Sequence, residues 1–339
     1  MKHEVKKVLI AGGTGFLGYH AGLQFAARGV AVDVIALPRE IDLGNWFPPE
    51  FGITTGDLFT MTAAEIVALM SDRGYDAFVY ALGPDDRTVP DAPAFAFFQE
   101  KLIFQSTKIC NAAKQAGIGR CVVLGSYYAH FDRLAGGTLS RHHPYIRARI
   151  GQEQALQALG EAGTFDVMIL ELPFIFGTMP ARQPLWKKFF LDYFTRFRHA
   201  YFPRGGGTAA IDVSGVAEAI FAAAVNGENG QCYPVGKINI GFRELLTRML
   251  AAAGETKKVI MIPPWIAAIG GALINRANRR RKKEGGLNYR RLMTDILNRP
   301  FYLDFSVQAI DLGYAELGFS GGADVFESIH TTLARFRKP

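Results

Sequence analysis

The feature that most constrains the fold is a glycine-rich turn near the N-terminus. The apolar run KKVLIAG at 6–12 leads into GGTGFLG at 12–18, and helical character follows. Gly12, Gly15 and Gly18 have the GxxGxxG spacing, which permits a tight turn, close approach of a pyrophosphate and tight packing of helix on strand. The spacing predicts a strand-turn-helix unit that binds a dinucleotide at the helix N-terminus.

Apolar runs rich in Val and Ile alternate with longer helical patterns through the first half of the chain. The runs predict six strands, at 6–12, 30–37, 52–57, 76–83, 120–126 and 165–173. The intervening segments predict helices at 18–29, 62–74, 93–117 and 144–163. This alternation is typical of an α/β fold with a doubly wound parallel sheet, in which ligands bind beyond the C-terminal ends of the strands.

The chain of 339 residues is long enough for a large domain and a smaller companion. We expect residues 1–175 to form a dinucleotide-binding domain and residues 176–339 to form mainly a substrate-binding lobe. Segments around 205–240 are expected to return to the first domain. Helical patterns resume at 213–227 and 242–254, after an aromatic and basic segment at 185–203 that would suit a hydrophobic or anionic substrate or form lobe core.

The composition is that of a folded soluble protein, with 49% hydrophobic residues and a net charge of +7. The run RANRRRKK at 276–283 supplies several of the cations, so we interpret it as a solvated helix end or a loop near the site, and a nucleic-acid partner is not expected. Cys110, Cys121 and Cys232 are widely spaced without a CxxC pattern. This spacing predicts neither disulfides nor a metal site and favours a cytoplasmic protein.

The longest apolar stretch is VIMIPPWIAAIGGALI at 259–274, which Pro263 and Pro264 interrupt. It is shorter than the ~20 residues that a membrane span needs. Because basic residues follow it, a peripheral membrane helix is one interpretation, although a helix packed on its own domain is favoured. The apolar run at the N-terminus is too short for a signal peptide and predicts the first strand.

Tyr145 and Arg149, in PYIRAR at 144–149, are four residues apart and would share one face of a helix. They form either a solvated aromatic and cation pair or an acid whose pKa is lowered for chemistry. A free tyrosine titrates near 10, so a base active near neutral pH needs a shift of about three units, or roughly 4 kcal/mol. One cation about 5 Å away contributes roughly 3 kcal/mol at an effective dielectric near 20. We therefore expect Arg149 to lower the pKa of Tyr145.

The second predicted strand ends in VIALPRE, with Ala36 and Leu37 where an acid would bind the adenosine ribose hydroxyls. Arg39 is close by and is of the type that meets a 2′-phosphate. This slightly favours NADP over NAD as the cofactor. The alternative is that Arg39 is a solvated loop residue.

An ordered set of segments resembles the extended short-chain dehydrogenase/reductase superfamily, including its NAD-dependent epimerase/dehydratase family. The matching segments span nearly the whole chain: GGTGFLG at 12–18, GDL at 56–58, YALG at 80–83, VVLGSYYAHFD at 122–132, PYIRAR at 144–149, LPFIFG at 172–177, IDVSGVAEAI at 211–220 and FYLDFSVQAIDLGY at 301–314. The resemblance implies a Rossmann domain with a smaller C-terminal lobe. It also implies a homodimer in which helices 93–117 and 144–163 pair across a two-fold axis.

The resemblance further implies roles for individual residues. Tyr145 would be the general acid/base, Ser126 the catalytic hydroxyl and Arg149 the cation beside them, while Ser126 as a strand-end hydroxyl bonded to local backbone is the alternative. Asp57 would contact the adenine amine. The residues implied in cofactor binding are Gly12, Gly13, Thr14, Gly15, Phe16, Leu17, Gly18, Arg39, Asp57, Leu58, Ala81, Leu82, Gly83, Tyr145, Arg149, Pro173 and Ile175.

Several positions depart from the family pattern. In the family the residue at position 149 is a lysine, and that lysine also hydrogen-bonds the nicotinamide ribose. Arginine keeps the charge but has a longer, planar head. We therefore expect Arg149 to keep its electrostatic effect on Tyr145, whereas the sequence does not decide whether it contacts the ribose. Leu102 replaces an asparagine, Gly125 a serine and Glu171 an arginine.

The residues around Ser126 discriminate between family reactions. Tyr127 and Tyr128 follow it where dehydratases carry an acid, which disfavours water elimination, and Ile175 replaces an asparagine typical of sugar-nucleotide epimerases. The leading hypothesis is an NAD(P)-dependent oxidoreductase that interconverts a secondary alcohol and a ketone. The alternatives are an NAD-dependent sugar-nucleotide epimerase, and a dinucleotide-binding sensor or scaffold with weak turnover.

Overall fold

The computed structural model describes residues 2–38 and 43–336. Its centre is a sheet of seven parallel strands in the order β10-β6-β5-β4-β1-β2-β3. These strands are β1 Lys7–Ala11, β2 Ala31–Ala36, β3 Gly52–Thr55, β4 Ala77–Tyr80, β5 Arg120–Leu124, β6 Asp166–Glu171 and β10 Cys232–Pro234. The central strands β4, β5 and β6 are buried along their whole length, as expected for a parallel sheet covered on both faces.

Helices cover both faces of the sheet. Phe25 of α1 and Ile220 of α8 pack in one apolar core, and Ile66 of α2, Ile109 of α4 and Leu156 of α6 pack in the other. The helices of this half are α1 Phe16–Ala26, α2 Ala63–Met70, α3 Ala94–Phe98, α4 Gln105–Gln115, α5 Tyr127–Leu134, α6 Pro144–Leu159 and α8 Val213–Asn226. The predicted doubly wound α/β fold is confirmed.

The remaining residues form two small sheets and further helices, and among them Tyr314 and Leu317 pack in the same core as Phe25 and Ile220. One small sheet has the order β11-β9-β13 with β7 also paired to β9, and another joins β12 to β8. These strands are β7 Phe174–Phe176, β8 Ala200–Pro203, β9 Gly207–Asp212, β11 Ile238–Gly241, β12 Val259–Ile262 and β13 Pro300–Phe301. The helices are α7 Asp192–Phe194, α9 Phe242–Ala252, α10 Pro264–Arg280, α11 Tyr289–Arg291, α12 Phe305–Asp311, α13 Tyr314–Leu317 and α14 Val325–Arg335.

The six strands predicted in the first half are all present, and the structure adds a seventh. β10 comes from Cys232–Pro234 and pairs with β6, so the chain returns to the central sheet after leaving it. The predicted helix at 93–117 is α3 and α4 joined by a wide π-helical segment at Gln99–Phe104. The basic run at 276–283 forms the end of α10 and the turn after it. Within 2–38 and 43–336, no helix is long and apolar enough to cross a membrane.

Candidate active site at the C-terminal edge of the sheet

The glycine turn connects β1 to α1 through a tight, locally bonded loop. Gly12 has a φ of +84°, a conformation that favours glycine, and the Gly15 N–H donates to the Gly12 carbonyl at 2.9 Å. A Cβ on Gly12 would lie 2.6 Å from the carbonyl oxygen of Ala81. The turn therefore lies directly against the end of β4, which brings Ala81 to the same edge of the sheet.

Two further glycines allow the turn to pack closely on its surroundings. A Cβ on Gly13 would overlap the side chain of Val34 in β2, and a Cβ on Gly18 would overlap the carbonyl oxygen of Gly12. The first turn of α1 has no side-chain cap at Gly15 and contains no acidic residue. Its amides, together with the helix dipole, suit the negative charge of a pyrophosphate.

Replacing Gly18 by alanine is expected to weaken dinucleotide binding by at least about tenfold and to destabilise the protein by about 1–3 kcal/mol, because the new methyl group pushes α1 away from the turn. Isothermal titration with NAD and NADP measures the first effect, and a thermal melt measures the second.

Gly270→Ala is the control, because a Cβ there meets no atom within 4 Å and the position is helical. It should retain wild-type affinity and gain about 0.5–1 kcal/mol of stability. Equal affinities in the Gly18→Ala and wild-type proteins would contradict the role given to the turn.

The remaining residues predicted to bind the cofactor occupy neighbouring strand ends. Asp57 and Leu58 follow β3; Leu58 is buried, and the Asp57 carboxylate accepts the Phe59 N–H at 3.1 Å. Gly83, with a φ of +120°, follows β4, and a Cβ there would lie 2.9 Å from Leu102. The residue that replaces the family asparagine thus packs over the loop that contains Leu82 and Gly83. Arg39 lies outside the described residues.

Ser126 and Pro173 lie at the ends of two adjacent strands, β5 and β6. The Tyr127 N–H donates to the Leu172 carbonyl at 3.1 Å, which holds the two strand ends together. Ser126 is buried and begins α5, where its Oγ accepts the Tyr128 N–H at 3.4 Å. Ile175 follows in β7 and pairs with Ile211. The hydroxyl therefore has the local backbone bond of the alternative interpretation, while its own O–H is able to donate to a ligand.

Tyr145 and Arg149 form a buried, hydrogen-bonded pair on α6. The Arg149 Nε donates to the Tyr145 hydroxyl at 2.9 Å, and its Nη1 donates to the Leu124 carbonyl at 3.1 Å and to Gln152 Oε1 at 2.7 Å. Because Leu124 ends β5, this fork ties the tyrosine to the strand that leads into Ser126. The solvated-pair interpretation is excluded, since Tyr145 is 5% and Arg149 is 7% exposed.

Arg149 lowers the pKa of Tyr145 as expected, but the net shift is upward. Burial raises the pKa of Tyr145 above its ordinary value of 10, and this effect exceeds the lowering by Arg149. The Asp86 carboxylate raises the pKa further. The cation could be identified from the sequence, whereas the loss of solvent around the phenol and the proximity of this acid depend on the folded structure. At neutral pH Tyr145 is therefore a protonated phenol.

Asp86 is a site residue that the sequence analysis missed. Burial raises the pKa of Tyr127, Tyr128 and Tyr289, and the Asp86 charge raises the pKa of each further, so Asp86 lies near this group of phenols. Burial raises the pKa of Asp86 itself to about 6, although its side chain is 29% exposed. The signal was available in the sequence, because GPDDRT at 83–88 directly follows the fourth predicted strand and so lies at the ligand-binding edge.

The loop after α10 closes against the N-terminus of α6. The Tyr145 N–H donates to the Gly286 carbonyl at 2.9 Å, and the Asn288 N–H donates to Nδ1 of His143 at 3.1 Å. Burial lowers the pKa of His143 to about 4, so its Nδ1 stays an acceptor at neutral pH. The C-terminal half of the chain thereby fixes the position of Tyr145.

A second cluster of charges lies behind Arg149, where α5, α6 and β6 meet. Arg133 bridges Glu153 at 2.5 Å and Glu171 at 2.6 Å. The two glutamate side chains are 5% and 0% exposed, whereas that of Arg133 is 43% exposed. Burial raises the pKa of Glu171, and burial together with the Glu171 charge raises the pKa of Glu153, both against the lowering by Arg133. Arg133 is therefore shared between two buried carboxyl groups, which favours retention of a proton by the glutamate pair.

The cluster predicts a pH dependence of stability. Unfolded glutamates release their protons near 4.5, whereas the folded pair keeps one at higher pH, so the free energy of unfolding falls as pH rises from about 4.5 through the raised pKa. Glu153→Gln removes one titrating group and keeps an acceptor for Arg133. The free energy of unfolding of the variant should exceed that of the wild type, and this difference should grow by about 1–2 kcal/mol as the pH rises from about 5 to about 8.

Chemical denaturation across this pH range measures the difference, with the exposed Glu50→Gln as the control. Parallel pH curves for wild type and Glu153→Gln would contradict the shared proton.

Comparison with known proteins places this fold. The sequence model of the NAD dependent epimerase/dehydratase family matches residues 8–241. No curated protein matches the sequence. Among solved structures, gox2253 superimposes with a TM-score of 0.75 at 18% identity, covering 98% of both chains. A nucleoside-diphosphate-sugar epimerase from Pseudomonas aeruginosa, PA4631, gives 0.68 at 17% identity, covering 97% of both chains.

A third similar structure is DesIV, a dTDP-glucose 4,6-dehydratase from Streptomyces venezuelae with NAD and TYD bound, with a TM-score of 0.64 at 17% identity over 97% of this chain and 96% of that chain. The chain is thus an α/β protein of the Rossmann type. It belongs to the NAD dependent epimerase/dehydratase family, since the family model covers more than half of its residues.

Proposed function

We propose that the protein is an NAD(P)-dependent oxidoreductase that interconverts a secondary alcohol and a ketone. The observation that carries this proposal is the 2.9 Å hydrogen bond from Arg149 Nε to the Tyr145 hydroxyl, at the same sheet edge as the uncapped glycine turn. A buried phenol next to a fixed cation is suited to exchange a proton with a substrate oxygen. Dinucleotide-bound relatives such as DesIV support a nicotinamide cofactor.

The residues of this chain would act in the following way during ketone reduction. The glycine turn at 12–18 would hold a reduced dinucleotide, which when bound would supply the hydride for this reduction. Ser126 donates its O–H to the carbonyl oxygen and holds it near Tyr145. Tyr145 transfers its phenolic proton to that oxygen, and Arg149 stabilises the phenolate that remains. Reprotonation of Tyr145 from solvent completes the cycle, and alcohol oxidation runs the same steps in reverse.

The raised pKa of Tyr145 keeps its phenol protonated at neutral pH, which is the form that ketone reduction requires. A protonated phenol is ready to donate, whereas a base for alcohol oxidation requires deprotonation. The positive charge of an oxidised nicotinamide would lower the pKa of Tyr145 when that form of the cofactor is bound. NADP remains our slight preference, based on Ala36 and Leu37 in the place of a ribose-binding acid and on Arg39 nearby in the sequence.

Sugar-nucleotide epimerisation is the second candidate, favoured by the family and by the similarity to PA4631, a nucleoside-diphosphate-sugar epimerase. The two reactions use the same acid/base pair but differ in the fate of the cofactor. A reductase exchanges its cofactor and oxidises it once per turnover. An epimerase keeps NAD bound and returns it unchanged. A dinucleotide-binding sensor is the third candidate and would bind without turnover.

The test incubates the purified protein with NADH or NADPH and a panel of ketones, and separately with sugar nucleotides. Net oxidation of added cofactor, dependent on a ketone, supports the oxidoreductase. Tightly co-purifying NAD with inversion of a sugar centre and no net oxidation would instead establish the epimerase. Saturable binding without turnover on either panel would establish the sensor.

A further inference from the structure

Helix α10 exposes an apolar face that no other part of the described chain covers. Trp265, Ile269 and Leu273, spaced four residues apart, are 65%, 57% and 63% exposed. Ile266 and Ile274 lie beside this row and are 40% and 41% exposed. Single exposed apolar residues are ordinary, but five on adjoining turns of one helix indicate an interaction surface.

The same helix continues into a cluster of cations. Its last two turns expose Arg276, Arg279 and Arg280, and the exposed Arg281 and Lys282 follow. None of these five pairs with an acid in the described part of the chain, and the sequence from 259 to 283 contains no Asp or Glu. We call the five apolar residues together with Arg276, Arg279 and Arg280 the α10 face.

The opposite side of the helix is occupied by the protein itself. Ala268 and Gly271 are its only buried residues, and a Cβ on Gly271 would overlap the Tyr289 carbonyl. The Asn275 side chain accepts the Tyr289 N–H at 3.1 Å and donates to Asn288 Oδ1 at 2.8 Å. These contacts fix the rotation of α10, so the α10 face points away from the fold.

We propose that the α10 face docks on an anionic lipid bilayer. Apolar side chains inserted at the level of the acyl chains and arginines bonded to lipid phosphates would satisfy both halves of the face at once. A second copy of the chain would cover the apolar half but leave the cations without opposite charge. A nucleic acid would match the cations but leave the apolar half exposed to water. The bilayer therefore fits the α10 face best.

Docking in this way would bring the bilayer beside the candidate active site. The segment after α10 accepts hydrogen bonds from both α6 and the start of α3. The Gly286 carbonyl accepts the Tyr145 N–H, and the Glu284 carboxylate accepts the Ala94 N–H at 2.8 Å. The site would then open towards substrates that partition into or onto the membrane. This docking does not depend on the proposed reaction, and it is tested by binding alone.

The test measures co-sedimentation of the full-length protein with vesicles of phosphatidylcholine alone or mixed with phosphatidylglycerol. We expect binding to the mixed vesicles, little binding to phosphatidylcholine, and loss of binding at high salt. Binding should fall at least about tenfold in Ile269→Asp/Leu273→Asp and in Arg279→Glu/Arg280→Glu. The tryptophan emission of the wild type should shift to the blue on mixed vesicles, and Trp265→Phe should remove the shift.

Lys6→Glu/Arg73→Glu is the matched control, because it makes the same change in charge at two exposed positions outside α10. It should bind the mixed vesicles as the wild type does. All variants change exposed residues, and equal melting temperatures confirm that they are folded. The proposal would be overturned if the wild type did not bind the mixed vesicles, or if the α10 variants bound them as well as the wild type. A lipid-independent dimer that the α10 substitutions dissociate would also overturn it.

Discussion

Replacing Tyr145 by phenylalanine is expected to lower turnover about a thousandfold while dinucleotide affinity stays within a factor of about two, since general acid/base catalysis commonly contributes 10²–10⁴. The variant removes only the hydroxyl that Arg149 Nε bonds at 2.9 Å. The arginine keeps its bonds to Leu124 and Gln152, so the site should remain ordered. The measurement is initial rates on an accepted substrate together with calorimetric titration of the cofactor.

Tyr75→Phe is the matched control for this experiment. This variant also removes one hydrogen-bonded hydroxyl, because the Tyr75 hydroxyl donates to Asp33 at 2.7 Å, but Tyr75 lies outside the candidate site. The control should retain wild-type turnover at a modest cost in stability. A Tyr145→Phe variant with wild-type rates would show that another group moves the proton.

Replacing Arg149 by methionine is expected to reduce turnover about a hundredfold or more, comparable with the loss of a donor that stabilises developing negative charge. Without the cation, burial and Asp86 still raise the pKa of Tyr145 and nothing at this position opposes them. The pH at which alcohol oxidation becomes half-maximal should therefore move upward. The variant also leaves the Leu124 carbonyl and Gln152 Oε1 without a donor, so it should melt at lower temperature.

Arg149→Lys separates the charge from the geometry. It restores a cation next to Tyr145 but cannot reproduce the three bonds of the planar fork. Its turnover should lie between those of Arg149→Met and wild type, and its pH profile should resemble that of the wild type. Activity well above wild type in Arg149→Lys would show that the native arginine impairs the site, and a pH profile unchanged in Arg149→Met would show that the cation does not act on Tyr145.

Features determined by local pattern were predictable from the sequence. The glycine spacing at 12–18, the six strands of the first half and the pairing of Tyr145 with Arg149 at four-residue spacing all follow from the pattern of one element. The placement of the glycine turn and Ser126 at one edge of the sheet also followed, because parallel strands place their C-terminal ends together. Each of these depends on contacts within about one helical turn or one strand.

Features that depend on distant contacts were not predictable. Segments around 205–240 were expected to return to the first domain, but the strand β10 itself was not predicted, because its three residues are too few for a periodic signal. Glu153 and Glu171 are far apart in sequence, so their shared contact with Arg133 is visible only in three dimensions. The same holds for the burial that outweighs Arg149 in raising the pKa of Tyr145. Desolvation depends on the complete packing around a group.

The most direct test of the account is calorimetric titration of the wild-type protein with NAD and with NADP. The account predicts saturable binding of at least one of them, about one per chain, weakened at least about tenfold by Gly18→Ala and preserved in Tyr145→Phe. Absence of binding to either dinucleotide, or undiminished affinity in Gly18→Ala, would contradict the claim that the N-terminal turn holds a pyridine nucleotide beside Tyr145.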